Sequence, residues 1–288
     1  MESLRQLLQL NRTVERDGIF ITNDIANKTV WDKLAKENPT HAVISAGDEA
    51  NAAAKSTSQI EDIKSHLKPT DVLLDYGSGY GRVAKYLLPQ MNLAGYVGLD
   101  SSYNMLQLFK ERYDVTSAEQ LTPALFLNAD IHSIPLQSKS IDAVTVCAVF
   151  LHNHKSIVTQ SMVELTRVVK PGGTVLVYSS FPRAATVMGI QGALYQFLLN
   201  LLGRPFKNGP VRYYTAKEIK QLFADFSEVE LVPHQYALLP KTLIFLPSPL
   251  EKLYRLGLAN PLNKLFEKLT PRSQRRHFAS FYDVIAKR

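Results

Sequence analysis

Asp71-Val-Leu-Leu-Asp75-Tyr76-Gly77-Ser78-Gly79-Tyr80-Gly81 is the stretch that decides the fold. A short apolar run ends in an acidic residue, and glycines follow at every second position. Val83, Ala84, Leu87, Leu88 and Met91 then recur at helical spacing. The reading is strand, tight glycine turn, helix. Glycine lets a backbone turn sharply and approach a ligand closely. The helix start offers unpaired N–H groups that suit a carboxylate or phosphate. Taken alone, the loop also reads as a turn with no ligand.

Downstream the rhythm repeats. Gly95–Asp100 reads as a strand and Ser102–Tyr113 as a helix. Leu125–Leu127 is a strand leading to Asn128-Ala-Asp130, and Ile141–Cys147 is another. Val158, Met162, Leu165 and Val169 mark a helix stopped by Lys170-Pro-Gly-Gly173, before a fifth strand at Thr174–Ser180. Thr215-Ala-Lys-Glu218 is a capping box opening a helix with Ile219, Leu222, Phe223 and Phe226. Val229–Val232 and Phe281–Ala286 read as later strands. Strands alternating with helices imply right-handed crossovers and a parallel sheet buried on both faces. Upstream, residues 1–70 read as helical and polar. Leu4, Leu7 and Leu8 have helical spacing, Val30, Trp31 and Leu34 form a face stopped at Asn38-Pro39, and Ile60, Ile63 and Leu67 mark a third helix.

Asp75, Asp100 and Asp130 end three successive strands, at the edge where open α/β sheets bind ligands. A carboxylate at Asp100 can accept both hydroxyls of a ribose. A lone Asp at a strand end reads as a turn or cap residue, whereas three in order point to a crevice that binds.

The 288 residues, 45% of them hydrophobic, are enough for one large α/β domain. A single cysteine excludes a disulfide framework and any multi-cysteine metal site. Met1–Leu10 carries Glu2 and Arg5 and lacks the apolar core of a signal peptide. Ala143–Leu151 is about half the ~20 residues a membrane span needs. The expectation is a cytoplasmic protein, peripheral to a membrane at most. The net charge of +7 is uneven. Phe181–Arg288 holds 16 Lys/Arg and 7 Asp/Glu, leaving 17 against 19 in the first 180 residues. Lys241–Arg276 is densest, with 8 basic and 2 acidic residues.

The chain resembles the class I S-adenosylmethionine-dependent methyltransferases, in particular the small-molecule branch that includes quinone-biosynthesis enzymes. Val72–Gly81, Gly98-Leu-Asp-Ser101, Asn128-Ala-Asp130, Ser140–Val144 with His152, and Leu165–Gly173 carry the resemblance. It covers about Leu67–Ser180, with Tyr214–Val232 as a weaker tail. It implies a Rossmann-like α/β fold: seven mostly parallel strands, the last antiparallel, with helices on both faces. It divides the chain into an N-terminal helical cap (1–66), a methyltransferase core (67–235), a basic helical lid insertion (236–277) and the last strand (278–288).

It also implies roles. Asp75, Gly77, Ser78, Gly79 and Gly81 would hold the methionine part of the cofactor. Asp100 would bind the ribose hydroxyls, with Ser101 and Met105 beside the nucleoside. Asp130 would accept from the adenine amino group, with Ile131 against the ring. Cys147–His152 would line the methyl-donor side. The loop reads G-x-G-x-G, which counts against a nicotinamide dehydrogenase. Cys147-Ala-Val-Phe-Leu-His152 differs from the Asn/Asp-Pro-Pro-aromatic signature of enzymes acting on nucleic-acid or protein amino groups.

Three side chains read two ways. Cys147 lies in an apolar run and suits an inert thiol better than a nucleophile. His152, with its near-neutral pKa, can deprotonate an acceptor or be structural. Tyr214 can orient an acceptor or be a core aromatic. His152 and His154 form an H-x-H pair without a nearby acidic or cysteine ligand, so no metal is expected. In the insertion, Leu243–Leu246, Leu250, Leu253, Leu262 and Leu265 interleave with Lys252, Arg255, Lys264, Lys268, Arg272, Arg275 and Arg276. That pattern suits a lid with a solvated basic face, or a lid over an apolar substrate that touches an anionic membrane through 241–276. Few aromatics cluster there, which disfavours nucleic acid. The sequence-level expectation is methyl transfer to a small, largely apolar acceptor. An RNA methyltransferase, a dehydrogenase and a non-catalytic cofactor-binding partner protein stay open as alternatives. Oligomeric state is not legible.

Overall fold

Val72-Leu-Leu-Asp-Tyr76 forms a strand whose side chains alternate between two buried faces. Leu74 and Tyr76 enter one apolar layer, and Leu73 enters the other. The computed structural model describes residues 2–22, 30–37, 49–116, 122–203, 211–236, 238–239, 248–271, 274 and 276–288. Its sheet has nine strands: β1 (Thr13–Arg16), β2 (Ile19–Thr22), β3 (Val72–Tyr76), β4 (Gly95–Asp100), β5 (Ala124–Asn128), β6 (Ile141–Cys147), β7 (Val169–Pro182), β8 (Glu228–Tyr236) and β9 (Ala279–Lys287). The order is β1-β2-β5-β4-β3-β6-β7-β9-β8. β2 through β7 pair in parallel, β9 runs antiparallel to both β7 and β8, and β1 runs antiparallel to β2.

One face of the sheet is covered by the helix Lys155–Val168, through Val158, Met162 and Leu165. The other is covered by the helices Glu49–Ser65, Arg82–Leu87 and Tyr103–Thr116, through Ile60, Ile63, Val83, Leu87, Leu106 and Phe109. The expected Rossmann-like α/β architecture is present. The carboxyl ends of β3 to β8 all point the same way, so their following loops share one end of the sheet.

Two strands were not expected. Thr13–Thr22, read as part of a helical region, is instead a hairpin that extends the sheet beyond β5 and raises the strand count from seven to nine. The signal lies in Asp17-Gly18. Both residues have positive φ, 52° and 74°, as the tightest hairpin turns require. Flanking Val14, Ile19, Phe20, Ile21 and Thr22 have β propensity, and Ile19 and Phe20 are buried.

Helices at Val30–Glu37 and Glu49–Ser65 stand where the helical reading put them. In the insertion, Ser248–Tyr254 and Asn260–Leu269 are helical, joined by a widened π turn at Arg255–Ala259. The stop at Asn38-Pro39, the run Leu243–Leu246, and Lys241, Arg272 and Arg275 lie outside the described residues. No described helix is long and apolar enough to cross a membrane.

Candidate functional site

The glycine loop is built by close contact. Gly77 and Gly81 have φ of 76° and 83°. A Cβ on Gly77 would sit 2.4 Å from Val149 Cγ2, and one on Gly81 would sit 2.2 Å from Phe109 Cδ2. Both positions therefore need glycine for backbone and for space. The N–H groups of Gly77 and Ser78 both donate to the Leu99 carbonyl at 2.8 Å, tying the loop to the end of β4.

Asp100 braces the loop from the other side. Its Oδ2 accepts from Gly79 N–H and its Oδ1 from Ser102 N–H, each at 2.8 Å. One carboxylate thus joins the glycine loop to the start of the helix Tyr103–Thr116. Each oxygen keeps a lone pair for a further donor. Burial raises the Asp100 pKa to about 6, against the two backbone donors, and Asp75 and Asp32 add to the rise by repulsion.

Asp75 departs from the expected picture of three carboxylates facing one crevice. It lies on the face of β3 opposite Tyr76, beneath the loop. Its Oδ2 accepts from Tyr96 Oη at 2.6 Å and its Oδ1 from Thr145 Oγ1 at 3.2 Å. Burial again lifts its pKa to about 6. Strand alternation explains the direction: the residue before Tyr76 must point into the opposite layer. Asp75 therefore fixes the strands that carry the loop. Asp130 does stand at the end of β5, partly exposed, where its carbonyl accepts from Ser133 N–H at 3.0 Å. Ile131 is buried beside it, and its carbonyl accepts from Tyr76 Oη. Asn128 Nδ2 donates to the carbonyls of Asp100 and Ser101 at 3.0 Å, which locks the β4 and β5 ends together.

Sequence reading placed the next helix but not its position over this end. The helix Val30–Glu37 lays Trp31 against His152, with ring centroids 5.4 Å apart. Its Asp32 Oδ1 accepts from Ser102 Oγ at 2.6 Å and from Asn104 N–H at 3.3 Å. Its Ala35 packs with Met105 and Tyr80. Three successive contacts thus run from the end of β6 to the start of the helix after β4. Arg82 was also missed. It is buried, and its guanidinium donates to Ser56 Oγ and Gln59 Oε1 at 3.1 and 2.7 Å, fastening the helix Glu49–Ser65 to the loop. A charged residue just after a glycine run gives no periodic signal, so its burial was not legible.

At the end of β6, Cys147 is a thiol that burial pushes to about 12, as an inert thiol should be. His152 is half-buried, and its Nδ1 has no hydrogen-bond partner among the described residues. Burial lowers its pKa, so the imidazole is neutral near pH 7. The segment after residue 210 returns here, with Arg212 N–H donating to the Leu151 carbonyl at 2.7 Å. Tyr214 is buried, stacked edge-on against Phe181 at 5.0 Å, with Lys155 Nζ 4.9 Å over its ring. Its hydroxyl has no partner among the described residues, and burial lifts its pKa to about 12. Ser78 Oγ and Arg212 Nε are likewise buried without partners among the described residues. Unpaired buried polar atoms are rare in folded proteins. These four lie on the loops at the carboxyl end of the sheet, where a polar ligand would complete them.

Fold, glycine loop and braced carboxylate define the class: this is the fold of the class I S-adenosylmethionine-dependent methyltransferases. Residues 74–177 match the family described as methyltransferase domain. Demethylmenaquinone methyltransferase of Bacillus cereus is 26% identical over 203 residues, covering 69% of this chain and 81% of the relative. The demethylmenaquinone methyltransferase of Chlamydia caviae is 29% identical over 164 residues, covering 55% and 67%. Among solved structures, an S-adenosylmethionine-dependent methyltransferase from Archaeoglobus fulgidus superposes with a TM-score of 0.52 at 14% identity, over 82% of this chain and 94% of that one. A chain from the complex of the Haloferax volcanii Trm112 methyltransferase activator with a methyltransferase gives 0.57 at 14% identity, over 91% and 99%. At these identities the two structures speak for the fold alone.

Proposed function

We propose that the protein transfers a methyl group from S-adenosylmethionine to a small, largely apolar acceptor. The observation that carries this reading is the Asp100 carboxylate. It is held by two backbone N–H groups beside a glycine loop whose Gly77 and Gly81 leave no room for a Cβ. The residues fit the cofactor. Asp100 retains lone pairs for the ribose hydroxyls, and Ser101 and Met105 would flank the nucleoside. Asp130 would take the adenine amino group, with Ile131 against the ring. Gly77, Ser78, Gly79 and Gly81 would hold the methionine part, supported from below by Asp75, and Cys147 lines the same end. When bound, S-adenosylmethionine supplies an electrophilic methyl on a sulfonium centre.

The chain's own contribution is mostly positioning and exclusion of water. Trp31 and the helix Val30–Glu37 cover the crevice, and the helical segment 248–269 would serve as a lid on the acceptor side. His152 presents a neutral, unpartnered Nδ1 that can take the acceptor's proton as the new bond forms. Tyr214 keeps its proton at all physiological pH and can donate to an acceptor oxygen. The demethylmenaquinone methyltransferases among the relatives support a small apolar acceptor. The basic segment 241–276 supports contact with an anionic membrane surface in a cytoplasmic, peripheral protein.

Turnover on a quinol-like acceptor tests the assignment of the base. His152→Ala should lower kcat by roughly a hundredfold, as for loss of a general base, with cofactor binding retained. Unchanged kcat would remove His152 as the base.

A further inference from the structure

The helix Val187–Leu201 is built inside out. Its inward face carries Gly189, Gly192 and Gln196, at spacings of three and four. Gln196 Nε2 donates to the Val211 carbonyl at 2.8 Å, and Tyr213 occupies the space a side chain on Gly192 would need. Its outward face carries Val187, Ile190, Leu194, Phe197 and Leu201, which are 50–73% exposed and follow the same helical spacing. The helix has no charged residue, and from Phe181 to Lys217 the sequence holds Arg183, Arg204, Lys207, Arg212 and Lys217 with no Asp or Glu.

The second excursion repeats the inversion. On the helical segment 248–269, Ala259 and Asn263 are buried. Asn263 Oδ1 accepts from Leu238 and Leu239 N–H at 2.8 and 2.9 Å, which pins that side to the chain leaving β8. Leu253, Leu258, Leu265 and Leu269 face out, between Lys252, Arg255, Lys264 and Lys268. In a water-facing helix the small and polar residues would point outward and the leucines inward.

Both excursions leave the same end of the sheet. Pro182 at the end of β7 pairs with Phe281, and Tyr236 at the end of β8 pairs with Ala279, so β9 alone separates them. That end is the one bearing Asp100 and His152. We propose that Val187–Leu201 is a bilayer-inserting helix, acting with 248–269 as one docking face on an anionic membrane and delivering a lipid-dissolved acceptor to the crevice. Charge selects the occupant: large outward apolar groups flanked by lysine and arginine suit a lipid surface bearing phosphate headgroups. The proposal extends the reading of 241–276 as a membrane contact and rests on it.

Vesicle flotation with the full chain tests it, using phosphatidylcholine with and without phosphatidylglycerol. The wild type should float with phosphatidylglycerol vesicles. Leu194→Glu/Phe197→Glu should weaken that binding by roughly a hundredfold, with its thermal stabilisation by S-adenosylmethionine intact. If the wild type ignores anionic vesicles, both this inference and the membrane contact through 241–276 fall. Suppose instead that the double variant floats like wild type while a Lys252/Arg255/Lys264/Lys268→Gln variant does not. The charged contact then stands and insertion of Val187–Leu201 is wrong. A wild type that sediments as a dimer without lipid, and becomes monomeric in the double variant, would show that a second copy covers the face and would overturn the proposal.

Discussion

At the residue scale, Asp100 does two jobs with one carboxylate. It fastens the glycine loop to the next helix, and in the proposed function it would also accept from a ribose. Both jobs need the ionised form. Because burial lifts its pKa to about 6, that form is present above pH 6 and lost as pH falls through it. Cofactor affinity should therefore be level near neutral pH and fall by up to roughly tenfold per pH unit below about 6. Isothermal titration with S-adenosylmethionine at each pH measures that fall. Asp32→Asn removes a negative charge that raises the Asp100 pKa while leaving an oxygen for Ser102. It should move the midpoint of that fall to lower pH. A midpoint that stays put would mean Asp32 has no electrostatic hold on Asp100.

At the element scale, the strand–glycine–helix unit at 71–91 was legible because three signals agree there: an apolar run, turn chemistry and helical periodicity. β3 to β9 were legible for the same reason. The hairpin at Thr13–Thr22 was not, because its strands have four residues each and the first, Thr13-Val-Glu-Arg16, is mostly polar. The direction of Asp75 followed from strand alternation but was overridden by the expectation that all three acidic residues serve a ligand. The roof formed by Val30–Glu37 was beyond sequence reading, since Trp31 meets His152 across 121 positions and no local pattern encodes that contact. The glycine turn itself makes a stability prediction. Gly81→Ala puts a Cβ against Phe109, which is packed edge-on with Tyr96 and Phe126 at 5.9 and 5.0 Å, at a φ of 83°. The loss should be about 2–4 kcal/mol in chemical unfolding. A loss under about 1 kcal/mol would mean that Phe109 moves aside freely.

At the scale of the whole molecule, charge and chemistry are divided. The first 180 residues are near neutral and hold the loop, Asp100, Asp130 and His152. The excess of Lys and Arg lies after Phe181, on excursions from the same end of the sheet. One end of the molecule thus gathers the candidate cofactor crevice and two helical segments with their apolar faces turned out. The central claim is that this crevice takes S-adenosylmethionine through Asp100. Isothermal titration of the wild type and Asp100→Ala with S-adenosylmethionine, its demethylated product and NAD tests it most directly. The account predicts that the first two bind the wild type and NAD does not. It predicts that Asp100→Ala, losing a charged acceptor worth about 1.5–3 kcal/mol, binds roughly ten- to a hundredfold more weakly. Heat of binding from NAD alone, or equal affinity of wild type and Asp100→Ala for S-adenosylmethionine, would contradict it.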